Sequence, residues 1–207
     1  TYQVDARHRV TLFALDGSEI RDLELPGIAT VYGFGGTRED QDSYYLVTGF
    51  ARPATINHYE IESGKSTIYK EPEVDFDPDK FVTKQVFYKS KDGTRIPKFN
   101  CHKKGLELDG RRPVYLTGYG GFDVSLTPGF SLSNAVWMEM GGIFAQPNLR
   151  GGGDYGEAGH EAGKKALKQN VFDDFIAAGE WLIKNRYTTP ERLAIGGGSN
   201  GGLLVAA

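Results

Sequence analysis

A chain of 207 residues with a net charge of −3 has room for one large domain or two small ones, and its charge argues against a nucleic-acid or anionic-membrane partner. Its 39% hydrophobic and 25% charged residues are those of a globular protein, and without an apolar run of about 18 residues it is not expected to hold a membrane-spanning helix. The single cysteine, Cys101, has no partner for an internal disulfide, which predicts a reducing compartment and a plain apolar role for the thiol.

Residues 1–75 read as all-β. Residues 9–15 alternate in strand fashion and meet a turn at Asp16-Gly17. Residues 19–25 can pair back, and Pro26-Gly27 ends that strand. Further short strands are expected over 30–34, 44–50, 55–61 and 66–69, separated by turn signals such as Gly35-Gly36 and Ser63-Gly64. Strands at this spacing suggest a sandwich or propeller blades. A blade uses about four strands, so this segment holds at most one blade and a piece of another. Residues 71–80 are acidic and carry Pro72 and Pro78, and we read them as a linker with the domain boundary near 75/76.

After the linker the pattern changes. Residues 84–89 and 95–102 form a hairpin around Asp92-Gly93, and Pro97 marks the second strand as an edge or as paired on one side only. A polar loop over 103–112 leads to a buried-type strand over 113–117, which ends in Gly118-Tyr119-Gly120-Gly121-Phe122. A short helix is expected over 131–140. The strand over 142–146 then ends in Asn148-Leu149-Arg150-Gly151-Gly152-Gly153-Asp154-Tyr155-Gly156. Asn170 is expected to cap the next helix, with Asp173 at its third position. Phe172, Phe175, Ile176, Gly179, Leu182 and Ile183 fall on one face of it. Asp173 and Asp174 sit near its positive end, Lys184 and Arg186 near its negative end. Pro190 and Glu191 turn the chain into a last strand. Strands alternating with helices predict an α/β domain over 76–207 with a mainly parallel sheet.

That last strand runs into Gly196-Gly197-Gly198-Ser199-Asn200-Gly201-Gly202, followed by an apolar run that can start a helix. Gly197, Ser199 and Gly201 match the nucleophile elbow, a sharp strand-to-helix turn that lifts a serine hydroxyl clear of the sheet. A serine held in a strained backbone leaves no room for side chains two residues either way. Gly196, Gly198 and Gly201 also spell the dinucleotide fingerprint, and a glycine-rich turn without chemistry is a third reading. Chain order favours the elbow. A dinucleotide fingerprint usually follows the first strand, whereas here two hairpin strands and two α/β units come first. In an α/β-hydrolase the elbow comes late, and an earlier glycine-rich loop donates to the oxyanion hole. The four histidines, His8, His58, His102 and His160, have no metal-site spacing, and no phosphate loop is present, so no metal or cofactor is expected.

The run from Tyr115 through Gly118-Tyr119-Gly120-Gly121-Phe122, the run from Asn148 to Gly156, Lys168-Gln169-Asn170-Val171-Phe172-Asp173-Asp174-Phe175, and Gly197-Gly198-Ser199-Asn200-Gly201-Gly202 closely resemble the prolyl oligopeptidase family. The resemblance runs through most of residues 80–207. Residues 1–73 resemble, more loosely, the last blade of that family's β-propeller. Asp154 stands where the family commonly has glutamate. The resemblance implies an α/β-hydrolase fold and a cytoplasmic serine endopeptidase that cuts short proline-containing peptides after proline, monomeric at full length. It implies that Ser199 is the nucleophile. Asn200 matches the residue whose backbone N–H donates to the oxyanion, Tyr119 the one whose hydroxyl is the second donor. Phe122, with Asn200, matches the substrate-binding residues, Phe122 as an aromatic of the proline pocket. The triad order serine, acid, histidine would put both partners after Ala207. None of the four histidines is then eligible, and residues 1–207 are expected to be a fragment that is inactive alone.

Overall fold

The computed structural model describes residues 1–207, which divide into two compact units: Thr1–Pro78 with Thr127–Leu132, and Asp79–Leu126 with Ser133–Ala207.

The first unit is all-β. Two hairpins, β1 (Tyr2–Val4) with β2 (Arg7–Arg9) and β3 (Thr11–Phe13) with β4 (Glu19–Asp22), precede an antiparallel meander of β5 (Thr30–Gly33), β6 (Asp42–Gly49), β7 (Arg52–Glu60) and β8 (Ser66–Lys70). Inward residues such as Val31, Tyr45, Val47 and Tyr59 pack with Val10 and Ala29 into its core. Four strands in this order have the form of one propeller blade. The β1–β2 hairpin escaped the sequence reading because its strands are almost wholly exposed, so burial leaves no alternation to see. Residues 127–132 also belong to this unit. Phe130 meets Phe76 edge-on at 5.6 Å, and its N–H donates to Thr48 Oγ1. A return from so far along the chain has no local signal, so the boundary drawn near 75/76 left it out.

The second unit is built on one sheet of β9 (Phe81–Lys89), β10 (Arg95–Lys103), β11 (Val114–Thr117), β12 (Ile143–Pro147) and β13 (Leu193–Gly196), in the order β13-β11-β12-β10-β9. Strands β11, β12 and β13 are parallel, while β9–β10 and β10–β12 are antiparallel, so the sheet is mixed rather than mainly parallel. Pro97 does not mark an edge, because β10 pairs on both sides. The β12 ladder begins one residue later, at Lys98↔Pro147, and the Pro97 carbonyl accepts from the Asn148 N–H just past it. The missing proline N–H therefore falls where no rung needs it.

The helices are α1 (Leu132–Glu139), α2 (Gly156–Glu161), α3 (Gln169–Lys184) and α4 (Asn200–Ala206). Two expectations for α3 are corrected. Its N-cap is Lys168, and Asn170 lies inside the helix with its amide donating to the Ala162 carbonyl. Its inward stripe is Val171, Asp174, Phe175, Ala178, Gly179 and Leu182, whereas Ile176 is exposed. The stripe is turned because Asp174 points inward to an arginine, described below, rather than serving the helix dipole. Val171, Phe175, Ala178 and Leu182 pack with Val114, Leu116, Ile143 and Leu149 in the core of this unit.

Candidate active site

With β11 between β12 and β13 and all three parallel, their carboxyl ends lie side by side. Three glycine-rich segments follow those ends, at the edge where open α/β sheets carry their sites.

Ser199 is the hinge between β13 and α4. It is exposed, with φ 54° and ψ −121°, a left-handed backbone that costs a non-glycine residue on the order of 1–3 kcal/mol. The glycines around it separate the competing readings. A Cβ on Gly197 would lie 2.2 Å from the Gly201 carbonyl oxygen, and one on Gly201 would lie 2.5 Å from that of Gly118. Of the two glycines that only the dinucleotide pattern requires, Gly198 has open space where its Cβ would be, and a Cβ on Gly196 would meet the Tyr115 side chain, 2.5 Å from its hydroxyl. Gly197, which only the elbow requires, is thus blocked by backbone that cannot change rotamer, whereas the two glycines that only the dinucleotide pattern requires meet a side chain or nothing.

The loop after β11 is held by backbone packing. Phe122 and Asp123 both have positive φ, 53° and 57°. The glycines after β12 form the bed beneath this loop: a Cβ on Gly151 would meet the Gly120 oxygen at 2.8 Å, one on Gly152 the Val124 oxygen at 2.8 Å, and one on Gly153 the Asp123 oxygen at 2.5 Å. Asn148 Nδ2 adds hydrogen bonds to the Leu126 carbonyl at 2.7 Å and to Asp154 Oδ1 at 3.0 Å. The bed is anchored in turn by Arg150. Its guanidinium donates to fully buried Asp174 (Nη2 to Oδ1, 2.6 Å) and to Asp92 (Nη1 to Oδ2, 2.5 Å), and its backbone N–H donates to Asp174 Oδ2 at 3.1 Å. The bond from Arg150 is the main reason that the Asp92 carboxyl is held down at a pKa of about 2, while the bond to Asp174 pushes the Arg150 guanidinium up.

Asn200 joins the loop to the elbow. Its Nδ2 donates to the Tyr119 carbonyl at 2.5 Å, and its side chain occupies the space that a Cβ on Gly121 would need. Tyr119 is half-buried between two buried glycines. Phe122 is 76% exposed, which rules out core packing for its ring. It borders a cleft of about 650 Å³ that Asn200, Leu203, Lys168, His160 and Gly151 also line. Asn200, next to Ser199 in the chain, thus holds the Tyr119 carbonyl and shares the cleft with Phe122. Sequence reasoning missed Lys168, although it stands in one of the runs that carry the family resemblance; its Nζ reaches the Gly120 carbonyl at 2.8 Å and Asn200 Oδ1 at 3.2 Å.

A strained serine between strand and helix, at the carboxyl edge of a sheet flanked by helices, defines the second unit as the opening part of an α/β-hydrolase fold. Residues 128–207 match the model of the prolyl oligopeptidase family, and residues 1–72 match that of the prolyl oligopeptidase N-terminal beta-propeller domain. The chain belongs to the prolyl oligopeptidase family. Over its whole length it is 51% identical to a prolyl endopeptidase of Elizabethkingia miricola, of which it spans 29%. Among solved structures it is similar to one from a study of two prolyl endopeptidases, with a TM-score of 0.91, 46% identity, 99% of this chain and 30% of that one. It is also similar to a post-proline cleaving enzyme from Rickettsia typhi, with a TM-score of 0.82, 35% identity, 96% of this chain and 29% of that one.

Proposed function

We propose that the whole protein is a serine endopeptidase that cuts short peptides on the carboxyl side of proline through an acyl-enzyme on Ser199. The observation that carries this is the backbone of Ser199, left-handed and exposed, with Gly197 and Gly201 packed too closely for any side chain. Such a turn presents Oγ to a substrate carbonyl and starts a helix directly behind it. Oγ attacks the carbonyl carbon, and its proton passes to a general base that follows the serine in the chain order of this fold. The oxyanion that forms takes hydrogen bonds from the Asn200 backbone N–H and the Tyr119 hydroxyl. Collapse expels the leaving amine, which takes the proton from the base, and water then releases the acyl group. Phe122 offers a flat, exposed apolar face on which a pyrrolidine ring can stack. The names of the relatives, prolyl endopeptidase and post-proline cleaving enzyme, support the same substrate class.

The test uses the full-length protein. A fluorophosphonate probe should label Ser199, identified by peptide mass spectrometry, and Ser199→Ala should lower kcat for a proline-linked chromogenic peptide by about 10⁴-fold or more. Labelling of another serine, or turnover that survives Ser199→Ala, refutes the proposal. The dinucleotide reading instead requires NAD to bind at this turn, and calorimetric titration should find no binding.

A further inference from the structure

The elbow and the oxyanion loop are far apart in sequence, yet the two donors assigned above, one on each, must converge on a single oxygen. Their separation is set by whatever ties Asn200 to residues 119–121. Two hydrogen bonds meet on the Asn200 amide: Nδ2 donates to the Tyr119 carbonyl at 2.5 Å, and Oδ1 accepts from Lys168 Nζ at 3.2 Å. The same ammonium donates to the Gly120 carbonyl at 2.8 Å. The result is a closed ring through two adjacent carbonyls, one amide and one cation. Only one orientation of the amide satisfies it, because a flipped Asn200 would aim its N–H bonds at the ammonium and its oxygen at a carbonyl. Gly121 closes the space from the other side, since its Cβ would fall 2.6 Å from Asn200 Nδ2. Lys168 is well placed to hold this position. It caps α3, whose Val171 leaves no room for a Cβ on Gly120. Burial holds the Lys168 ammonium below the usual lysine range, and both of its hydrogen bonds go to this ring.

We propose that Lys168 is a positioning residue for acyl transfer: it ties the elbow to the 118–122 loop through Asn200 and Gly120, and so sets the distance between the Asn200 N–H and the Tyr119 hydroxyl. This rests on the acyl-transfer reading of Ser199. Removing the ammonium frees the Asn200 amide and lets the two donors drift, which weakens binding of the developing oxyanion more than binding of the ground-state peptide.

The experiment compares full-length wild type, Lys168→Met, Lys168→Arg, Asn200→Ala and the Lys168→Met/Asn200→Ala double variant. A displacement of about 1 Å at such a site is worth roughly 10²-fold in rate. Lys168→Met should therefore lower kcat about 10- to 100-fold with KM changed by less than about threefold. A peptide aldehyde ending in proline, which forms an oxyanion-bearing adduct on the serine, should bind more weakly by the same factor as the loss in kcat/KM. The proline-ending product acid should bind as before. Lys168→Arg, which keeps a cationic donor, should recover at least half of that loss on a logarithmic scale. The double variant should be no worse than the poorer single variant, because both break one ring. If Lys168→Met fails to fold, Lys168→Arg and Asn200→Ala carry the aldehyde-against-product comparison. The proposal is overturned if folded Lys168→Met keeps kcat within twofold, if aldehyde and product affinities fall together, or if the two losses add in full. Turnover that survives Ser199→Ala overturns the acyl-transfer reading and this proposal with it, whereas intact Ser199 chemistry with an indifferent Lys168 overturns this proposal alone.

Discussion

Gly197→Ala tests the elbow most directly. A Cβ at position 197 would lie 2.2 Å from the Gly201 oxygen and 2.4 Å from its carbonyl carbon. Carbon atoms in contact rest at about 3.5–4.0 Å, so the turn has to open by more than about 1 Å. Neither colliding atom can escape by changing rotamer, since both belong to the backbone. Gly201 in turn packs against the end of β11 closely enough that a Cβ there would lie 2.5 Å from the Gly118 oxygen, which limits its retreat. The strain must therefore be relieved by moving Ser199, which lies between the two. Overpacking of this kind costs about 1–3 kcal/mol in stability, and misplacing a nucleophile by about 1 Å costs roughly a hundredfold in rate. Gly198→Ala is the control, since nothing lies within 4 Å of its Cβ position. The assay is the second-order rate of fluorophosphonate labelling in the full-length protein, read beside the thermal unfolding midpoint. Gly197→Ala should label about a hundredfold more slowly, and Gly198→Ala should unfold like wild type. Labelling of Gly197→Ala at the wild-type rate would refute the steric reasoning.

Tyr119→Phe should lower kcat about a hundredfold or more, roughly 3 kcal/mol, without changing the unfolding midpoint; an unchanged kcat removes the hydroxyl from the oxyanion hole. Phe122→Ala should leave stability within about 0.5 kcal/mol, because the ring is exposed, and should cut the preference for proline over alanine substrates by about 1–3 kcal/mol; equal losses on both substrates would contradict the pocket role. Asp174→Asn should destabilise the protein to urea by about 3 kcal/mol, the lower end for a broken buried pair because Arg150 keeps Asp92; a loss under about 1 kcal/mol would show that the pair does not anchor the loop. Asp92 has its folded pKa depressed from 3.8 to about 2, so its contribution is present above the ordinary value and is lost as pH falls through about 2. Between pH 4 and 2 the stability of wild type should therefore fall more steeply than that of Asp92→Asn, and parallel curves would argue against the pairing.

The sequence by itself determined whatever depends on a few neighbouring residues. Gly197 and Gly201 are required by contacts inside the turn and at the adjacent strand end, so the motif alone announced the strained serine. Hairpin turns such as Asp92-Gly93 and the exchange of short strands for alternating strands and helices are likewise local properties of backbone freedom and hydrophobic period. Tertiary structure decided where a residue's partner lies far along the chain. Asp174 turns inward, against the simple apolar stripe, because Arg150 waits 24 residues away. Pro97 sits in an interior strand because the β12 ladder happens to begin beside it. Lys168 became legible only once Gly120, 48 residues before it, and Asn200, 32 after, stood within hydrogen-bond reach. Periodicity and turn chemistry record how a segment meets a core or bends. They do not record which distant group will satisfy a buried charge or amide, since that depends on how the sheet orders its strands.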